Sequence, residues 1–197
     1  QLAINPFDLN LKINLYNYKI SNLFTPNSII IEFIKSGLLF NENISVHTLV
    51  NIESTKKDKI FNKAKLELRV LNGKISFDKS IFINNNIGLI EVSNSDLFLE
   101  NDRLILTSNL SIDIKDIDGL FSFLNTDKKS RKDIKNIKLN IIYDFLSNQI
   151  KFKNIRINDN DVNSQFNNIA EGFIDINSNN LTKSRKLLNE LINLYVG

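Results

Sequence analysis

Apolar and polar residues alternate with period two along most of this chain. Phe7, Leu9, Leu11, Ile13 and Leu15 interleave with Asp8, Asn10, Lys12 and Asn14. Such a segment is a strand with one oily and one wet side. The pattern returns over Ile44 to Ile52, and again at Leu66, Leu68 and Val70, where Asn72-Gly73 follows as a two-residue hairpin signal. Ile75 and Phe77 mark the next strand, then Ile81 and Ile83 up to an Asn-rich turn at Asn84 to Asn86. Leu89 to Val92 predicts a short strand, Asn94 to Asp96 a turn, and Leu97 and Leu99 another strand ending at Asn101-Asp102. The longest run places Leu104, Leu106, Ser108, Leu110, Ile112 and Ile114 on one face. Gly119 interrupts it, and Leu120 to Leu124 reads as a further strand. Ile137, Leu139, Ile141, Tyr143 and Phe145 form the next, turned at Ser147-Asn148 into Ile150, Phe152, Ile155 and Ile157. The break in period after Phe152 predicts a bulge near Lys153-Asn154.

Helical spacing is rarer. Thr25-Pro26 is a start signal, Ile29, Ile30, Phe33 and Ile34 recur at helical spacing, and Gly37 is placed as a stop, so a short helix is expected from Pro26 to Ser36. Asp161 or Asn163 caps a second, with Phe166, Ile169, Ala170 and Phe173 on its apolar side. Leu181, Leu187, Leu188, Leu191, Ile192 and Tyr195 define a third. Closely spaced strands with tight turns and few crossover helices predict a mainly β protein built as a long antiparallel meander, with a few short helices near its ends. The β-rich part is placed at residues 1–160 and a helical segment at 161–197. The oily face of such a sheet needs a second sheet, a helix or a ligand against it, and periodicity leaves a dry sandwich core and an open groove both standing.

Composition narrows the function. With 42% hydrophobic residues the chain is not a wholly disordered one. It has no Cys, which removes disulfides, thiolate metal sites and cysteine nucleophiles. It has no Met and begins at Gln1, as expected of a cut or processed end of a longer protein. The single histidine, His47, falls on the polar phase of its strand and reads as a solvated residue. Asp113, Asp116 and Asp118 lie close together but lack the ordered ligand series of a calcium loop, and read as structural. No phosphate loop, nucleophile elbow or metal-spaced histidine pair occurs, so no enzyme and no cofactor are expected. The net charge is +3. Its densest cluster, Lys128, Lys129, Arg131 and Lys132, reads as a solvated loop guarding a sheet edge; the functional reading is contact with lipid headgroups or an anionic membrane surface. No aromatic residues interleave with these charges, which argues against nucleic acid.

The order of elements, with NGKIS at 72–76, the run IGLIEVSNSDLFLENDRLILTSNLSIDI at 87–114 and KKSRKDIKNI leading into the last hairpin, resembles the C-terminal region of AsmA-like proteins, the bacterial group of AsmA, TamB and YhdP. The resemblance covers most of Phe7 to Asn158. It implies a curved, groove-like (taco-shaped) sheet, a periplasmic location with an inner-membrane anchor outside this segment, phospholipids as ligands, bacterial membranes and other envelope proteins as partners, and a role in outer-membrane biogenesis. The groove residues expected on that basis are Leu66, Leu68, Val70, Leu104, Leu106, Leu110, Ile112, Ile114, Ile137, Leu139, Ile141 and Tyr143. The competing expectation is a structural or adhesive β-repeat of a large surface protein, with these faces packed dry.

Overall fold

The alternating segments become strands because each carries β-branched or large apolar residues at every second position and turn formers at its ends. The computed structural model describes residues 2–4, 7–20, 22, 29–54, 60–101, 103–145, 147, 149–162, 174–175, 188–193 and 195. In chain order the elements are β1 (Leu2–Ile4), β2 (Phe7–Tyr16), α1 (Ile29–Lys35), β3 (Ile44–Glu53), β4 (Lys63–Leu71), β5 (Lys74–Ser76), β6 (Ile81–Asn84), β7 (Gly88–Glu100), β8 (Arg103–Ile114), α2 (Ile117–Leu124), β9 (Asn136–Asp144), β10 (Gln149–Ile157), β11 (Asn160–Asp161) and β12 (Ile174–Asp175). The protein is mainly β with few short helices, and all twelve strands among the described residues belong to one sheet.

The sheet order is β1-β2-β3-β4-β5-β7-β8-β9-β10-β11, with β6 also joining β4 to β7 and β12 lying on β10. The expected meander holds except at one place. β2 and β3 run parallel, Phe7 opposite Ile44 through Tyr16 opposite Glu53. A parallel neighbour requires a long crossover, and the connection containing α1 supplies it. The sheet is therefore mixed rather than purely antiparallel.

β5 and β6 share a single place between β4 and β7: Arg69–Leu71 pair with β5, and Lys63–Lys65 with β6. Between them the ladder is interrupted, and hydroxyls stand in for backbone carbonyls. The Glu67 N–H donates to Ser80 Oγ at 2.9 Å and the Phe77 N–H to Ser95 Oγ at 2.6 Å, while Ser95 N–H and Oγ both donate to Asp78 Oδ1 at 2.7 Å. No amide of the gap needs to be buried unpaired to make this step.

Asn72 and Gly73 both take positive φ, 51° and 71°, and close the β4–β5 hairpin as expected. The expected bulge is present too, as a register shift between Lys153 and Arg156 with Asn154 at φ 50°. The segment 94–96, expected as a turn, is instead a bulge inside the single long strand β7. Asn94 sits at φ 48° and the register slips between Ser93 and Asp96. A left-handed Asn produces either feature, and the hydrogen bonds of Ser95 hold the bulged form.

The segment read as a strand at Leu120 to Leu124 is helix α2. Asp116 caps it, accepting from the Gly119 N–H at 2.9 Å, and Asn125 ends it in the left-handed conformation. Its stripe Ile117, Leu120, Phe121 and Leu124 has helical spacing. α1 keeps Ile34 buried but leaves Phe33 half exposed, and Gly37 at φ 76° follows it as expected. Residues 26–28 of that expected helix lie outside the described residues, as does the second expected helix over 163–173. Asn160 and Asp161 belong to β11. The last helix is described over 188–193, and Leu191, Ile192 and Tyr195 pack into one cluster with Phe121, Leu124, Ile134, Ile155 and Ile157. The described part of the last helix thus docks on the α2 end of the sheet.

Candidate functional site: one apolar face

Residues opposite each other in a ladder project to the same side of a sheet. Val46–Val70, Val70–Ile75, Ile75–Leu97, Leu97–Leu106 and Leu106–Tyr143 are successive partners, and so are Ile52–Ala64, Ala64–Phe82, Phe82–Ile90, Ile90–Ile112 and Ile112–Ile137. The two chains of partners run along opposite ends of the strands and agree. Phe7, Leu9, Leu11, Ile13 and Leu15 join the same side through β3, and Ile150 and Phe152 through β9. Every strand from β2 to β10 thus turns apolar residues to one side. All the residues expected to line a groove lie there: Leu66, Leu68 and Val70 on β4, Leu104, Leu106, Leu110, Ile112 and Ile114 on β8, and Ile137, Leu139, Ile141 and Tyr143 on β9.

The protein covers this face unevenly. Three clusters seal the strand ends. At one end Ile34 and Leu39 lie over Val46, Val70, Ile75, Leu97 and Leu104. At the other, Ile20 lies over Val50, Ile52, Ala64, Leu66 and Phe82, and farther along α2 and the last helix form the cluster described above, with Ile114, Ile137 and Leu139 against it. Val70 and Leu104, each 1% exposed, are therefore dry core. Leu68, Leu106 and Tyr143 border the α1 cluster. Leu110 and Ile112 are half-buried and belong to none of the three, and neither do Leu11 and Ile13, which are 41% and 38% exposed. These residues mark a middle row between the covered ends; Thr48, Ser108 and Ile141 lie in it too but are buried, 8%, 3% and 8% exposed, so the row is accessible at Leu11, Ile13, Leu110 and Ile112. Burial raises the Tyr143 phenol above its usual pKa, with the Asp144 charge adding to it, so this ring stays neutral on the apolar side.

The other face is wet. It carries a group that sequence spacing did not reveal. Glu67, 5% exposed, accepts from Arg69 Nε at 2.9 Å, lies 3.2 Å from His47 Nε2 and has Lys65 Nζ at 3.6 Å. His47 stands opposite Arg69 across β3 and β4, so the partner it lacked in sequence comes from the neighbouring strand. The Arg69 hydrogen bond outweighs desolvation, and with His47 and the Lys65 charge it holds the Glu67 carboxyl below its usual value of 4.5. A carboxylate whose pKa is lower folded than unfolded stabilises the fold above the unfolded value, and that contribution fades as pH falls through the folded one. Glu67→Gln is accordingly expected to flatten the loss of stability below about pH 4.5, read from urea midpoints at neutral and acid pH. An unchanged acid limb would count against this coupling. A depression lined by polar and apolar residues together, among them Asn14, Tyr16, Asn51, Lys65, Ile81 and Ile83, also lies on this side of the sheet, away from the apolar row.

The basic segment is partly structural. Arg131 lies over the Phe121 ring at 5.6 Å, donates to Asp118 at 3.1 Å and to the Thr126 carbonyl at 3.4 Å, and so clasps α2. Lys128 and Lys129 are exposed on the 3-10 turn Lys128–Ser130, and Lys132 is half-buried. Of the aspartates read together, Asp116 is the α2 cap, Asp118 pairs with Arg131, and Asp113 faces the wet side opposite Asn136. Among the described residues no helix is long and apolar enough to cross a membrane. Comparison of the chain with protein-family models, with curated proteins and with solved structures finds no match.

Proposed function

We propose that this protein binds the acyl chains of phospholipids along the middle row of its apolar face, as a non-catalytic lipid-carrying segment of an AsmA-like envelope protein that serves outer-membrane biogenesis from the periplasm. The observation that carries the reading is the single-sided sheet. Every described strand belongs to one sheet, the apolar phase of each from β2 to β10 falls on one side, and among the described residues no second sheet is packed against it. From β2 to β10 the row crosses eight strand positions, or about 34 Å at the usual interstrand spacing. An acyl chain leaving water for such a surface gains about 0.8 kcal/mol per buried CH₂, while a charged headgroup stays at the wet rim. Binding of this kind needs no covalent step. Exchange follows a concentration gradient or an external energy source.

The competing reading is a structural or adhesive β-segment. The three sealed clusters favour it, since much of the apolar face is already covered by the chain itself. Mass spectrometry of organic extracts of the purified protein separates the two. Co-purified phospholipid is the expected result, and lipid-free protein from a membrane-containing host would refute the lipid reading.

A further inference from the structure

The tip of the β4–β5 hairpin is built from the one Asn-Gly pair in the sequence, Asn72-Gly73. The fold leaves little choice of residue there. Both positions take positive φ, 51° and 71°, a region that asparagine enters more readily than most residues with a side chain. At the second position a Cβ would stand 2.8 Å from the Phe40 carbonyl oxygen. Only glycine fits there, against the 3-10 turn Leu38–Phe40.

The pair that the turn demands is also a reactive one. The backbone nitrogen after an asparagine can attack the side-chain Cγ, and a Cβ on the following residue hinders that approach. Asn17, Asn94, Asn101, Asn125, Asn154 and Asn158 are left-handed as well, but each is followed by a residue that carries a Cβ. Asn72 is exposed. Among the described residues neither its carboxamide nor the Gly73 N–H has a hydrogen-bond partner, and the tip opens by giving up only the Leu71–Lys74 end of the ladder. Asp118-Gly119 offers the same backbone chemistry in sequence and is the contrast. The Gly119 N–H donates to Asp116 Oδ1 at 2.9 Å inside the first turn of α2, and the Asn86 carbonyl closes over its Cα. That nitrogen is held away from the Asp118 carboxyl.

We infer that Asn72 is a site of spontaneous deamidation, and that its isoaspartyl product unseats the cap over the α1 end of the sheet. The Gly73 nitrogen bonds to Asn72 Cγ, the Cγ–Nδ2 bond breaks, and ammonia leaves, which closes a succinimide ring. Water then opens the ring at one of its two carbonyls. Opening at Cγ gives aspartate on an ordinary backbone. Opening at the backbone carbonyl gives isoaspartate, whose chain runs through Cγ and is one carbon longer. The balance is one water consumed and one ammonia released, with no oxidant or reductant. Aspartate suits the left-handed position and leaves the turn intact. The extra carbon does not, because loop length fixes the turn type and Gly73 has no room to move toward Phe40. The lengthened tip displaces the 3-10 turn, and with it Leu39, from Val46, Val70, Ile75, Leu97 and Leu104.

The test ages the purified full chain at mildly alkaline pH and digests it with trypsin. Cleavage after Arg69 and Lys74 isolates residues 70–74, and cleavage after Lys115 and Lys128 isolates residues 116–128. The first fragment is expected to gain the mass difference between aspartate and asparagine, to separate into two forms with the isoaspartyl one the larger, and to accept methyl groups from an isoaspartyl methyltransferase. The second is expected to acquire no isoaspartate. Aged protein is expected to unfold at lower urea than fresh protein, while Asn72→Asp, with the same new charge on an ordinary backbone, keeps the midpoint of the unmodified chain. Retention of Asn72 over the time in which a synthetic peptide of residues 70–74 converts completely overturns the inference. So does isoaspartate forming at Asp118 as fast as at Asn72, and so does an isoaspartyl protein whose urea midpoint is unchanged. None of these readings involves the middle row, so the lipid proposal and this one fail separately.

Discussion

Gly119→Ala is expected to lower the unfolding free energy by about 2–3 kcal/mol, although alanine is the better helix former by about 1 kcal/mol. Gly119 lies in the first turn of α2. A Cβ there would run into the backbone carbonyl of Asn86 in the β6–β7 turn, with the Asp116 carboxyl close on another side. The helix cannot slide away. Lys115 and Asp116 N–H groups both donate to the Ile87 carbonyl, at 2.8 and 3.1 Å, and Asp116 is also the cap. Relief of the clash requires α2 to lift, and lifting it exposes Phe121 and Leu124, each worth about 1.5–3 kcal/mol when buried. Steric cost and lost burial both exceed the propensity gain, so the sign is set. Ser122→Ala, at an exposed position of the same helix, carries the propensity gain alone and is expected to change stability by no more than about 0.5 kcal/mol. Urea midpoints of the two variants read the difference. A higher midpoint for Gly119→Ala would mean that the turn and the helix are not held together as described.

The same corner shows where sequence reading stops. Leu120, Ser122 and Leu124 alternate like a strand, while Ile117, Leu120, Phe121 and Leu124 recur like a helix. Over so short a stretch the two periods are equally supported, and the Asp116 cap decides between them. Strand existence was legible wherever period two ran for five or more residues, as in β2, β8 and β9, and so was the face each strand offers. Pairing was not. Alternation assigns sides without naming neighbours, so the parallel β2–β3 match and the His47–Glu67–Arg69 group emerge only once register is known. Asn94 illustrates a further ambiguity, because a left-handed Asn serves a turn and a bulge equally well. The candidate site divides in the same manner. Leu104 and Leu110 occupy the same phase of one strand and look alike in sequence, yet Ile34 and Leu39, far away along the chain, seal the first and leave the second.

That division supplies the sharpest test of the apolar face. Leu110→Lys with Ile112→Lys is expected to cut co-purified phospholipid per mole of protein tenfold or more while shifting stability by about 1 kcal/mol. Both side chains are half-buried and outside the sealed clusters, so each lysine can lead its ammonium to water along its own stem. An acyl chain in the row would lose the contact of two branched side chains and would have to desolvate two charges, costs that together exceed the 1.4 kcal/mol of a tenfold change. Leu104→Ala is expected to do the reverse. Leu104 is 1% exposed beneath the α1 cap, and emptying such a position costs about 2–5 kcal/mol. The row itself is untouched by that change, so the molecules that remain folded should carry lipid at the unmodified level. Urea unfolding and lipid analysis on the same preparations give both readings. If Leu104→Ala strips the lipid and the paired lysines do not, the ligand sits under the α1 cap and the middle row is not its seat. If neither variant alters lipid content, the apolar face is not where lipid binds, and its exposure needs another explanation.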